Sequence, residues 1–111
     1  MYKFGDIYIA EKNLTGNLHR IKQTVLVVSD DRENKVSSLV TVVPILDAAE
    51  QDELLSYVFI GDYGMSEENI AVVEQITTVD KTQLLVKVGG IQGTVYAGLV
   101  KKAIKKHLGL W

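Results

Sequence analysis

From Ile70 to Gly90 the chain reads IAVVEQITTVDKTQLLVKVGG: two apolar segments, Ile70–Val73 and Leu84–Val88, kept apart by Glu74-Gln75, Thr77-Thr78 and the turn-like Asp80-Lys81-Thr82. Apolar runs this short, ending in paired polar residues, are strand-sized and deliver side chains to an edge or cleft. After Gly89-Gly90 the hydrophobic period changes from that of a strand to that of a helix. Tyr96, Leu99, Val100, Ala103, Ile104, Leu108 and Trp111 fall on one helical face, with Thr94 placed to cap it and Lys101, Lys102, Lys105 and Lys106 on the opposite face. Those lysines, and His107 beside them, suit the negative end of a helix dipole.

The earlier part of the chain is patterned for strands. Phe4, Ile7 and Ile9 alternate around Gly5-Asp6, which predicts a strand over about Asp6–Glu11. The following KNLTGNLHRIKQ carries Asn13, Thr15, Gly16 and Asn17 and then His19, Arg20 and Lys22, and reads as a loop with charge at its far end. Thr24–Ser29 is a continuous β-branched run, the mark of a strand buried on both faces. A solvated turn at Asp30–Asn34 leads to a strand at Ser38–Leu46. Its Pro44 lacks a ladder donor and belongs at an edge, a bulge or the strand's end. Acidic Asp47–Glu53 reads as a connection, Leu54–Ile60 as another strand, and Gly61–Gly64 as a turn before the strand at Ile70. Several short strands, regular turns, no βαβ alternation and one closing helix give a fold class that is mainly β with a C-terminal α-helix, arranged as a small barrel.

Length and composition limit what such a chain does. With 111 residues, 47% hydrophobic and 23% charged, it is one globular domain, residues 1–111, with the barrel at about 4–91 and the helix at about 94–109. Cysteine is absent and histidine occurs only at His19 and His107, which excludes disulfides, thiolate sites and cysteine nucleophiles and leaves no metal constellation. The net charge of -2, with arginine only at Arg20 and Arg32, argues against a protein built mainly to grip phosphate backbones. Asp6 and Glu11 flank only a very short apolar run, so the start does not read as a signal peptide, and no stretch reaches membrane-spanning length. The expected location is the cytoplasm.

Three pieces in this order resemble the PemK/MazF family of toxin endoribonucleases: Gly5-Asp6-Ile7-Tyr8, Val25-Leu26-Val27-Val28-Ser29, and Tyr63-Gly64 through Glu74-Gln75-Ile76-Thr77-Thr78-Val79-Asp80-Lys81. The resemblance runs from about Gly5 to Ile91. It implies an SH3-like barrel with a terminal helix, a homodimer, and neutralisation by a small antitoxin whose tail occupies the RNA groove. It also implies sequence-specific cleavage of single-stranded RNA without metal or other cofactor. Such cleavage turns the ribose 2′-hydroxyl into the nucleophile, so the site needs a proton acceptor, a proton donor and groups that stabilise the phosphorane charge.

Carried onto this chain, the family's catalytic arginine falls at Gln23, a side chain that donates hydrogen bonds but carries no charge. Arg20 or Lys22, in the same segment, could supply the missing charge. The family's second catalytic group falls near Ser37, Ser38 or Leu39, and the acidic residue that some members use falls at Glu74. The expected catalytic set is therefore Gln23, Ser38 and Glu74, with His19, Arg20, Lys22, Ser37 and Gln75 as RNA-binding residues. Thr77 and Gln83 stand where the family places further arginines, and Thr15-Gly16-Asn17-Leu18 where it has a G-x-E-Q-x-G type segment. These departures open the alternative of a relative that binds RNA or a partner peptide without cleaving. A dimer is expected to cover exposed strand residues such as Leu54, Val58 and Ile60, whereas Asp80 reads as a turn or cap residue without chemistry.

Overall fold

Leu39–Asp47, LVTVVPILD, is the longest strand among the described residues, here β3, and three others pair with it. The computed structural model describes residues 1–13, 20–47, 57–61 and 69–110. The other strands are β1 (Asp6–Asn13), β2 (Arg20–Val27), β4 (Tyr57–Gly61), β5 (Asn69–Val72), β6 (Thr77–Asp80) and β7 (Leu84–Gly90). Among the described residues there are also two helices, α1 (Asp31–Val36) and α2 (Val95–Leu108), and two 3-10 turns at Val73–Gln75 and Lys81–Gln83. All pairings are antiparallel, in the order β4-β5-β3-β2-β1-β7, with β6 on a side branch from β3. The fold class is the expected one, β-rich with a C-terminal helix, but among the described residues the ladders do not close into a ring: there β6 pairs only with β3 and β7 only with β1.

Along one side of β3 the partner changes. Leu39–Val42 pair with Asp80–Thr77 of β6, and Ile45–Asp47 pair with Ala71–Asn69 of β5. Pro44 sits in the interruption between them, inside the strand rather than at an edge or end. A missing N–H there removes no bond from either ladder. On its other side Pro44 faces Val25 of β2.

Strand alternation splits the buried side chains into two clusters. Ile7, Leu26, Val43 and Ile45 face one way, where Tyr96, Ala97, Val100 and Ile104 of α2 cover them. Tyr8, Ala10, Val25, Val27, Val40 and Val42 face the other way, joined by Leu84 and flanked by Tyr2 and Val79. The Val25–Val27 run is thus buried on both faces, as its unbroken apolar character requires. The stripe that α2 buries is narrower than its sequence pattern: it centres on Val100, while Leu99 and Leu108 stay exposed. Lys101 stands beside this seat, its ammonium 4.8 Å from the Phe4 ring. Thr94 occupies the cap position, yet its hydroxyl donates backwards to the Ile91 carbonyl at 2.6 Å rather than accepting from the helix.

Two polar segments differ from the sequence reading. Arg20–Gln23 belong to β2 instead of a loop, because they continue the hairpin ladder with Ala10–Asn13. Asp30–Asn34 form the cap and most of α1 rather than a plain turn: Asp30 accepts from the Arg32 N–H, and the buried Asn34 amide donates to the Ser29 carbonyl at 3.0 Å. The Ser29 hydroxyl bonds Asn34 Oδ1 and accepts from Thr41 N, fastening α1 to β3.

The Gly5-Asp6 pair explains itself structurally. Asp6 is fully buried and accepts from the Lys3 N–H (3.0 Å), Gln92 Nε2 (2.7 Å) and Lys87 Nζ (3.1 Å). Gln92 reaches it across two glycines: Gly5 has a φ of +92°, and a Cβ on Gly90 would lie 2.3 Å from Gln92 Oε1. No described helix is long and apolar enough to cross a membrane. Replacing Asp6 by alanine strips three donors of their acceptor, so Asp6→Ala should cost about 3 kcal/mol of stability in urea unfolding.

Candidate functional site

Four strands bring their side chains abreast on the face opposite α2. The register sets Gln23 beside Ala10, Val25 beside Pro44 and Val42 beside Thr77. The 3-10 turn after β5 adds Gln75, and the one after β6 adds Gln83. Together they enclose a pocket of about 110 Å³, floored by Ala10, Val25, Val42, Pro44 and Val79 and rimmed by Glu11, Gln23, Gln75, Thr77 and Gln83.

The rim amides differ in how firmly they are held. Gln83 is locked: its Oε1 accepts from the Asp80 N–H at 2.9 Å and its Nε2 donates to the Glu11 carbonyl at 3.3 Å. Asp80 completes a capping box by accepting from Thr82 N (2.9 Å) and Thr82 Oγ1 (2.8 Å), and these bonds hold its carboxyl below the usual carboxylate range. Gln23 is half-buried and Gln75 exposed, and neither carboxamide bonds another described residue. A half-buried amide without a partner carries a desolvation cost that a ligand can relieve. No Lys, Arg or His is among the described lining residues.

The remaining expected residues distribute around this pocket. Lys22 is exposed and lines an adjoining open groove of about 400 Å³ that it shares with Gln23, Ile45, Leu46 and Asp47. Arg20 begins β2 opposite Asn13. Glu74 sits half-exposed in the same turn as Gln75 but does not line the pocket. Ser37 and Ser38 lie where α1 passes into β3. Ser37 Oγ accepts from Leu39 N at 3.0 Å and the Ser38 carbonyl accepts from Lys81 N at 3.0 Å. Val79 of the pocket floor pairs with Val40, so Ser38 stands two residues, about 7 Å along the strand, beyond the pocket's end and does not line it. His19 lies outside the described residues.

The structure therefore brings Gln23 and Gln75 together, with Lys22 on the neighbouring groove, and sets Ser37 and Ser38 apart from them. The expected set did not include Glu11, Pro44, Thr77, Val79 or Gln83, although Thr77 and Gln83 stand where the family places further arginines. Of these, Gln83 had a legible signal, since Asp80-x-x-Gln83 is the spacing of a capping box. Among the described residues no three His, Cys, Asp or Glu side chains cluster to hold a metal ion.

A sequence profile for PemK-like, MazF-like toxins of type II toxin-antitoxin systems matches residues 3–108, nearly the whole chain. The chain belongs to this toxin family. Among curated relatives, an endoribonuclease MazF of Staphylococcus epidermidis is 29% identical over 87 residues, 76% of this chain and 72% of the relative. Two solved structures show the same fold. An endoribonuclease in complex with its cognate antitoxin, from a mycobacterial species, is 18% identical with a TM-score of 0.77, over 100% of this chain and 98% of its own. MazF of Deinococcus radiodurans is 14% identical with a TM-score of 0.72, over 97% and 96%.

Because the Asp80 carboxyl has a depressed pKa when folded, its stabilising effect is complete above the ordinary aspartate value and disappears as pH falls through the folded one. Asp80→Ala should be less stable than the natural chain by a constant margin from about pH 5 to 8, and that margin should shrink below about pH 3.9. Denaturant unfolding of both proteins across this range checks the sign.

Proposed function

We propose that the chain is a toxin-type endoribonuclease that cleaves single-stranded RNA at the Gln23–Gln75 pocket without a metal ion. The observation that carries this is the pairing of two unpartnered carboxamides over an apolar floor, in a chain of this toxin family. The 2′-hydroxyl oxygen attacks the adjacent phosphorus and the bond to the 5′ oxygen breaks, that oxygen taking a proton from water, which leaves a 2′,3′-cyclic phosphate and a 5′-hydroxyl end. Gln23 and Gln75 donate amide hydrogens to the non-bridging oxygens as negative charge develops there. Lys22, on the groove that shares Gln23, supplies the positive charge that a glutamine lacks. The 2′-hydroxyl proton passes to a carboxylate, Glu11 of the pocket lining or Glu74 in the turn that positions Gln75.

A second reading draws on the absence of a cation from the described pocket lining. There the same surface binds RNA, or an antitoxin peptide, without cutting. The mycobacterial relative was solved with its cognate antitoxin, and on either reading a small antitoxin segment neutralises this protein by covering the pocket. The site of action is the cytoplasm, where RNA is available to such a toxin.

The protein acts as a homodimer. Of the strand residues expected to need cover, Ile60 is fully buried and Val58 half-buried, because alternation in β4 turns them towards the core, and Leu54 lies outside the described residues. Tyr57 and Phe59 face outwards instead. They form an edge-to-face pair with centroids 5.6 Å apart on a terminal strand of the sheet. Exposed aromatic area at a sheet edge favours association.

Incubation with a long mixed-sequence RNA in EDTA, followed by mapping of new 5′ ends, tests cleavage directly. The natural chain should cut, and Gln23→Ala and Lys22→Ala should each slow cutting by at least about tenfold, the scale of one lost charge-stabilising donor. Activity that appears only in Gln23→Arg would establish the non-cleaving reading. Sedimentation at micromolar concentration should give a dimer for the natural chain and a monomer for Phe59→Lys.

A further inference from the structure

The sheet face that carries the Gln23–Gln75 pocket extends beyond it. At the pocket end its floor is Ala10, Val25 and Val42; at the other end it is Tyr8, Val27 and Val40. There the half-buried Tyr2 ring lies over Tyr8, centroids 5.3 Å apart and planes inclined by 39°, and the Lys81 ammonium stands 5.5 Å from the Tyr2 centroid. Among the described residues that ammonium makes no ion pair.

One rigid device ties the two ends together. The 3-10 turn Lys81–Gln83 sets Gln83 in the pocket rim and Lys81 over Tyr2, and the Asp80 capping box fixes the turn. Along β1, Ala10 of the pocket and Tyr8 beneath Tyr2 are two residues apart, about 7 Å, a span that one nucleotide bridges. An aromatic face takes any base by stacking; here the base takes the place over the Tyr2 ring where the ammonium lies, and the displaced ammonium, on its flexible stem, takes the phosphate that follows. Tyr2 precedes β1 and Lys81 follows β6, so neither side chain is needed to form a ladder.

We propose that Tyr2 and Lys81 form a base-stacking subsite for the nucleotide next to the one held at Gln23 and Gln75, with Lys81 gripping its phosphate. The subsite rests on the RNA-cleaving reading and adds to it a residue pair that positions the strand. Ser38 acquires a place in it, because its carbonyl holds the Lys81 N–H and so helps to aim this turn.

The test is binding rather than cleavage. A fluorescein-labelled, single-stranded, mixed-sequence oligonucleotide with 2′-fluoro sugars lacks the nucleophile and survives titration, which anisotropy follows. Tyr2→Leu keeps an apolar cover over Tyr8 without a ring, and should weaken binding about tenfold, as should Lys81→Ala, while Tyr2→Phe should match the natural chain. Tyr2→Trp should show indole quenching on addition of the oligonucleotide. Equal affinity of the natural chain, Tyr2→Leu and Lys81→Ala would overturn the subsite and leave the RNA reading standing. Failure of the natural chain to bind at all would overturn both.

Discussion

The molecule depends on β3 keeping three partners at once. Its flank against β2 joins the N-terminal hairpin to the rest of the sheet, and its other flank is divided between β6 and β5. Both hydrophobic clusters contain residues of this strand, Val43 and Ile45 in one, Val40 and Val42 in the other. The pocket takes Val42 and Pro44 from it, at the place where the partner changes. A switch of partner needs a position where the ladder lapses, and proline fits that position because it has no N–H to leave unsatisfied.

Around this strand the stabilising polar groups and the candidate site are distinct sets of residues. Asp6 and Asn34 are buried and saturated by defined donors and acceptors, and they lock the N-terminal turn and α1 in place. Gln23 and Gln75 are at least partly open to solvent and bond no described residue. Gln83 belongs to both sets, since its amide bridges the Asp80 N–H and the Glu11 carbonyl while lining the pocket. The pocket's width at that corner is therefore set by a single side chain spanning two segments.

Much of the fold was legible because its signals are local. The unbroken Val25–Val27 run, the change of period after Gly89-Gly90 and the Asp80 turn each write their structure into neighbouring residues. What could not be read depends on contacts distant in sequence. Helix α1 is almost entirely polar and shows no amphipathic stripe; it stands because Asn34 reaches Ser29 and because Phe4 N donates to Asp31 at 2.7 Å. Arg20–Gln23 form strand only because β1 pairs with them. The outward turn of Tyr57 and Phe59 follows from the register of β4 on β5, which a short apolar run leaves open in sequence. For the site, family resemblance indicated Gln23 and Glu74, but only the lateral order of strands shows that Gln75, Thr77 and Gln83 share a rim with Gln23.

The separation between saturated buried groups and unpartnered rim amides has an evolutionary consequence. Where one residue serves both folding and chemistry, a lineage cannot alter its potency without risking its solubility. Here an exchange at Gln23 or Gln75 breaks no described hydrogen bond and empties no core position. On the proposed reading of this pocket, potency can therefore drift up or down by single codon changes on an unchanged scaffold, and a host lineage can temper such a gene long before it has to discard it.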